Sequence, residues 1–336
     1  MKAIGYTEAG DIGRPGALIE RELPDPRPSG RDLLVRVDAV SVNPVDTKVR
    51  HNAPPAEGFR VLGFDAVGTV EAVGDAVALF RVGDRVWYAG SIRRPGSNAQ
   101  LQLVDERIVG PAPKSIAAGD AAALPLTAIT AWEMLFDRFY VHKAVAGDNR
   151  TILIVGGAGG VGSIAIQLAK RVAEMTVIAT ASRPETAEWC RLMGADHVID
   201  HSKPLAKEVR ALGIGDPGFV FSTTRTEEHF DQIVELIAPE GKLGVISGIG
   251  NASADKLSGK SVTLCYELMF TRSNVNAPDL IEQHRLLAEV ARLVDTGAIR
   301  STAREQFGRL SAVNLTRAHA HVETDRSIGK VVLEGF

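Results

Sequence analysis

The stretch ILIVGGAGGVGSIAIQLAK, Ile152 to Lys170, crowds five glycines into the seven positions from Gly156 to Gly162. Ile152, Leu153, Ile154 and Val155 before it make a short apolar, largely β-branched run, the signature of a strand buried on both faces of a parallel sheet. After it, Ile164, Ala165, Leu168, Ala169 and Val172 recur at helical spacing, with Gln167, Lys170 and Arg171 off that stripe. The glycines therefore occupy a strand-to-helix turn, and Gly157, Gly159 and Gly162 satisfy G-x-G-x-x-G. In such a turn the first glycine permits the bend, the second lets the backbone approach a pyrophosphate, and the third lets helix and strand pack closely. The N–H groups of Ala158, Gly160 and Val161 and the positive end of the helix dipole then face the phosphates. A glycine-rich turn that binds nothing has the same composition. The strand before it and the helix after it favour a dinucleotide.

The next strand bears on which dinucleotide. A site for NAD usually ends this strand in Asp or Glu, about 20 residues past the glycines, to bond the ribose 2′-hydroxyl. Here TVIATASRPE ends in Thr180-Ala181-Ser182-Arg183, with no carboxylate to repel a 2′-phosphate. The hydroxyl of Ser182 and the forked guanidinium of Arg183 suit one, so the expected cofactor is NADPH. Ser182-Arg183-Pro184-Glu185 also reads as a capping box with Ser182 as the helix cap, a role compatible with the first.

At 336 residues the chain has room for two domains with their own cores. A net charge of −3 without a basic cluster argues against a nucleic-acid partner. No apolar run approaches a membrane span, and MKAIGYTEAG lacks the apolar core of a signal peptide. Two cysteines, Cys190 and Cys265, lie far apart, which excludes a cysteine-clustered zinc site and points to a reducing, cytoplasmic setting. Residues 1–122 are strand-rich and punctuated by turns. From 123 to 269 apolar strands at 151–155, 176–181, 196–200, 219–223, 242–247 and 261–268 alternate with helical patterns such as Glu227–Ala238. Six strands with helical crossovers describe an α/β fold with a doubly wound parallel sheet. A helix over DLIEQHRLLAEVARLVDTG and a last strand, GKVVLEGF, follow.

SVNPVDTKVR (Ser41–Arg50), VLGFDAVGTVEAVG (Val61–Gly74), GDRVWYAG, PLTAITAWEML (Pro125–Leu135) and the glycine turn come in the order found in the medium-chain dehydrogenase/reductase superfamily. The chain resembles its quinone-oxidoreductase-like, zinc-type alcohol dehydrogenase-like branch over essentially its whole length. The resemblance implies a β-rich GroES-like catalytic domain (1–122 and 270–336) interrupted by a Rossmann NADP(H)-binding domain (123–269). It also implies a homodimer, with a tetramer as the alternative, formed through the strand at 261–268.

Three departures bear on zinc. Asn43 stands where zinc-dependent members have a cysteine, Phe64 where they have a histidine, and the segment PLTAIT lacks a third ligand. Zinc needs three N, S or O side chains around an open position, so no metal is expected. The cysteine-rich structural zinc loop is also missing after Tyr88, and His319 and His321, two apart, would lie on different helix faces. Without a Lewis acid the chemistry expected is hydride transfer from NADPH to a quinone or to the alkene of an enal. A zinc alcohol dehydrogenase and a non-catalytic NADPH-binding protein are the alternatives. Developing charge on the substrate oxygen needs fixed donors, and the resemblance points to Asn43 and Thr127, with Asp46 as an orienter of their loop or a simple turn residue. Tyr88 is weighed as a proton donor against a packed aromatic. His51 is the loop histidine, and Met269 and Phe270 resemble pocket-wall residues. Ligands bind beyond the carboxyl ends of parallel strands, which adds Ser222 and Thr223, and Ser247, Gly248 and Ile249, to the expected cofactor contacts.

Overall fold

The computed structural model describes residues 1–145 and 150–336. These divide into two units, Met1–Ile129 with Phe270–Phe336, and Thr130–Met269.

In the second unit, β1 (Thr151–Val155), β2 (Thr176–Thr180), β3 (His197–Ile199), β4 (Phe219–Ser222), β5 (Lys242–Val245) and β6 (Thr263–Tyr266) form one parallel sheet. Its order is β3-β2-β1-β4-β5-β6, the doubly wound dinucleotide-binding topology. The strands end a residue or more inside most of the sequence expectations, where the backbone turns into loops. The crossovers are α1 (Gly160–Arg171), α2 (Pro184–Met193), α3 (Leu205–Arg210) and α4 (Thr226–Leu236). All five residues of β1 are buried, which explains its continuous apolar run. Leu153, Val220 and Leu243 of the sheet pack with Phe230 and Ile233 of α4 in one core. Reversal of strand order between β1 and β4 opens a crevice at the carboxyl ends of these two strands, beside the glycine turn.

The first unit is built on the long strand Asp32–Val42, whose alternation buries Leu33, Val35 and Val37. It pairs antiparallel with Ala66–Val73 on one side and Lys330–Glu334 on the other, within a seven-stranded sheet. A smaller sheet joins Lys2–Tyr6 to Ile19–Glu22 and Arg60–Val61. The expected helix near the C-terminal end is present as Ile281–Asp295. Among the described residues no helix is long and apolar enough to cross a membrane.

Candidate functional site

The glycine turn leaves β1 at Gly156, the residue that takes the left-handed backbone conformation, at φ 81°. The tight bend therefore belongs to Gly156 and not to Gly157. Gly157 is needed for packing: a Cβ there would come within 2.8 Å of Ala179 Cβ and 3.0 Å of Cys190 Sγ. At Gly162 a Cβ would overlap the Gly156 carbonyl oxygen and lie 2.7 Å from Gly157 Cα, so only glycine lets α1 sit this close to β1. At Gly159 a Cβ would meet nothing nearer than 3.6 Å, so the space over it is open. α1 starts with the N–H groups of Gly160, Val161 and Gly162, which have no acceptor within the helix. Ala158 is buried under the turn. This is a cradle for a phosphate-bearing ligand.

Beside it, the Gly156 N–H donates to Thr180 Oγ1 at 3.0 Å, and Thr180 Oγ1 lies 2.9 Å from Nδ1 of His201. Ser182 is exposed after β2, and Arg183 Nε lies 3.2 Å from Glu185 Oε1. The helix cap is Arg183, one residue later than expected. Its N–H donates to Thr186 Oγ1 at 3.2 Å, and the Thr186 hydroxyl donates back to the Arg183 carbonyl at 2.8 Å. Ser182 is thereby freed of the capping role. Thr223 braces the turn through a bond from its hydroxyl to the Val155 carbonyl at 2.8 Å. Ser222, in contrast, is wholly buried, its hydroxyl 2.9 Å from Thr226 Oγ1. It holds the start of α4. After β5, Ser247 is exposed, Gly248 has φ 78°, and Ile249 packs partly on the core.

In the first unit, sheet register assembles a second cluster. Val331 pairs with Val42, so one step further along brings Lys330 beside Asn43. Val40 pairs with Ala66, so Asp65 arrives beside Ser41. The buried Lys330 ammonium donates to Asn43 Oδ1 at 2.6 Å, the Val42 carbonyl at 2.9 Å and Asp65 Oδ2 at 3.2 Å. Asp65 Oδ2 also accepts from Ser41 Oγ at 2.6 Å and Asn43 Nδ2 at 2.7 Å, and its Oδ1 accepts from the Leu126 N–H at 2.7 Å. Burial lowers the Lys330 pKa and raises that of Asp65, and each charge opposes the shift of the other. Asp46 ties two loops, accepting from the Asn43 N–H at 2.9 Å and the Gly63 N–H at 3.0 Å. Burial nonetheless pushes its carboxyl up to about 7.

These contacts bear on three of the expected site residues. Asn43 is 1% exposed, and its amide donates to Asp65 and the Phe64 carbonyl, so it links Lys330 to Asp65. The Thr127 hydroxyl is spent on the Leu124 carbonyl at 3.1 Å. Tyr88 is a core aromatic: its hydroxyl is buried without a hydrogen-bond partner among the described residues, and burial followed by the charge of Asp38 raises its pKa further, which suits no proton donor. Asp46 orients both loops. His51 is half exposed, with Nδ1 3.3 Å from Asp11. Phe270 packs edge-on against Phe64, ring centroids 5.3 Å apart, while Met269 is buried. His319 is fully buried with its pKa pushed down to about 3, and His321 lies 3.1 Å from Glu305. Lys330 and His201 had not been singled out from sequence. The one signal for Lys330 is a lysine set directly before the apolar run Val331–Leu333.

Two family profiles match the chain: "Alcohol dehydrogenase GroES-like domain" over residues 29–119 and "Zinc-binding dehydrogenase" over 160–291. A zinc-type alcohol dehydrogenase-like protein of Staphylococcus aureus is 43% identical over 335 residues, covering 99% of both chains. The chain belongs to the medium-chain dehydrogenase/reductase superfamily. A quinone oxidoreductase of Pseudomonas aeruginosa is 31% identical over 329 residues, covering 96% of both. Among solved structures, one from Rhizobium etli, named as a candidate zinc-dependent alcohol dehydrogenase, is 55% identical with a TM-score of 0.99, covering 100% of this chain and 98% of that one. A mycobacterial relative solved with NADPH is 28% identical with a TM-score of 0.83, covering 99% of both. Superfamily membership makes this chain an oxidoreductase, and the parallel-sheet unit carries the nucleotide-binding topology.

The zinc in the family names does not fit the residues present. Phe64 has no ligating atom and lies against Phe270. The Asn43 carbonyl oxygen and Asp65 carboxylate already surround an ammonium, and a dication beside Lys330 would meet its charge at close range. Among the described residues no group of three or more His, Cys, Asp or Glu side chains could hold a metal ion.

Proposed function

We propose that this superfamily member is an NADPH-dependent reductase that delivers hydride, without a metal, to quinones or to the alkene of α,β-unsaturated carbonyl compounds. The observation that carries the reading is the Asn43–Asp65–Lys330 cluster: Asn43 and Phe64 hold the positions that the resemblance assigns to zinc ligands, and here Asn43 and Asp65 hold an ammonium while Phe64 packs on Phe270. The nicotinamide ring supplies the hydride when the cofactor is bound. The chain's own contribution to cofactor binding begins at the open space over Gly159, which receives the pyrophosphate under the N–H groups of Gly160, Val161 and Gly162. Ser182 and Arg183 take the 2′-phosphate, with Arg183 turning from Glu185 to the stronger anion. Ser247, Gly248 and Ile249 flank the nicotinamide end. Lys330, Asn43, Asp46 and Asp65 act as positioning residues that fix the loops at 41–46 and 62–65. A homodimer through the edge strand β6 is part of the reading: Tyr266 at its end is 57% exposed and Leu268, two residues beyond it, 55%.

Replacing Arg183 with Ala tests the cofactor assignment. NADPH affinity should fall about tenfold, while NADH affinity changes less than about twofold. Equal loss for both cofactors in fluorescence titrations would count against a 2′-phosphate role.

A further inference from the structure

The carboxyl edge of the parallel sheet holds a second set of titratable groups that the proposed chemistry does not use. Thr180 closes β2, the strand whose end meets the ribose 2′ substituent in this topology. Its buried hydroxyl joins the glycine turn to His201, accepting from the Gly156 N–H at 3.0 Å and lying 2.9 Å from His201 Nδ1. His201 follows β3, and its ring centroid is 6.1 Å from that of His229 on α4. Arg225, just before α4, stands beside both in a left-handed conformation, φ 47°, that an arginine rarely adopts.

We propose that His201, backed by His229, reads the adenosine 2′-phosphate together with Arg183 and makes the preference for NADPH over NADH strengthen as the pH falls from about 8 to about 6. The proposal rests on the NADPH reading above. Thr180 Oγ1 accepts from the Gly156 N–H and keeps a second lone pair and its own proton for His201 Nδ1, so it can donate to the neutral ring or accept from it. When the ring is protonated, Nδ1–H donates to Thr180 Oγ1 and the hydroxyl proton turns away, so the contact survives in both states. The surroundings disfavour a charge on either ring before a ligand arrives. Burial, then the positive charge of Arg225, lowers the His201 pKa, against Asp200. Burial, His201 and Arg225 lower that of His229, against Glu228. Asp200 is itself occupied by the Ser202 N–H and hydroxyl, at 2.9 and 2.7 Å. A phosphate dianion brought to this edge supplies the counter-charge the histidines lack, so binding draws a proton onto the pair. NADH brings no such charge.

Fluorescence titration of the full chain with NADPH and NADH between about pH 6 and about pH 8 tests this. In the unaltered protein the ratio of NADPH to NADH affinity should rise about fivefold toward the acid end. His201→Asn, which keeps a short polar group at Thr180, should flatten that rise to less than about twofold while keeping the preference at about pH 8 that Arg183 provides. Parallel profiles for the two proteins, or a flat profile in the unaltered one, overturn the proposal and leave the NADPH reading intact. Equal affinity for NADPH and NADH at every pH removes that reading, and this proposal with it. Calorimetry of the unaltered protein in buffers of different ionisation enthalpy adds a test that needs no variant. Proton uptake on NADPH binding near pH 7, absent with NADH, is the expected result. Proton release, which a phosphate shedding its own last proton would give, overturns it.

Discussion

Asp46 shows how one side chain can serve two opposed demands. It is the third residue of the helix Pro44–Asn52, where backbone donors and the helix dipole favour a carboxylate, and it accepts from the N–H groups of Asn43 and Gly63. Burial outweighs these bonds and the nearby Lys330 charge, with Asp65 adding to the rise, and lifts its carboxyl from an ordinary 3.8 to about 7. The folded state thus holds a proton at Asp46 that the unfolded chain has released. Its contribution to stability is full below about pH 3.8 and is lost as the pH rises through about 7. An Asp46→Asn variant cannot titrate there. Urea unfolding over a pH series should show the stability of the variant gaining on that of the original protein from about pH 4 to about pH 7 and then levelling, whatever fixed amount the lost hydrogen bond costs. Curves that stay parallel would mean that Asp46 is already ionised throughout.

Among the elements, the strand–turn–helix around Gly156–Gly162 was the most legible from sequence, because its constraints are local: a buried strand, a bare turn and an amphipathic helix follow each other directly. Even there the roles moved by a residue, since the left-handed φ falls on Gly156 and packing, not bending, selects Gly157. The cap of α2 moved from Ser182 to Arg183 because Thr186, not a side chain at the cap, satisfies the first N–H. The turn yields a paired prediction. Gly162→Ala drives a methyl into the Gly156 carbonyl and the backbone of Gly157, so it should cost about 1–3 kcal/mol in stability and weaken NADPH binding together. Gly159→Ala meets only ordinary contact at 3.6 Å, so it should leave the thermal midpoint nearly unchanged yet weaken NADPH about tenfold by filling the space over the turn. Thermal melts and titrations of both variants would separate these outcomes. A destabilised Gly159→Ala with normal affinity would contradict the assignment of that space to the pyrophosphate.

For the whole molecule, the order of strands and helices let the doubly wound sheet be read in advance, six strands in the sequence order that yields β3-β2-β1-β4-β5-β6. The polar cluster of the first unit was not readable in that way. Its members come from positions 41, 43, 65 and 330, and only the registers of Lys330–Glu334 and Ala66–Val73 against Asp32–Val42 bring them together. Motif reading set Asn43 and Phe64 against the zinc ligands that the resemblance implies and missed the ammonium that Asn43 holds. It also offered Asn43 and Thr127 as donors and weighed Tyr88 as a proton donor against a packed aromatic, and neighbours in the fold bind or bury all three. Chemistry without a metal is the claim on which the account stands. Its most direct test follows NADPH absorbance with the purified chain, offering benzoquinone, phenanthrenequinone and enals to NADPH, then simple alcohols to NADP, each with and without a chelator. NADPH oxidation by the quinones or enals, unaffected by the chelator, and no alcohol oxidation are expected. Alcohol oxidation that a chelator abolishes would contradict it.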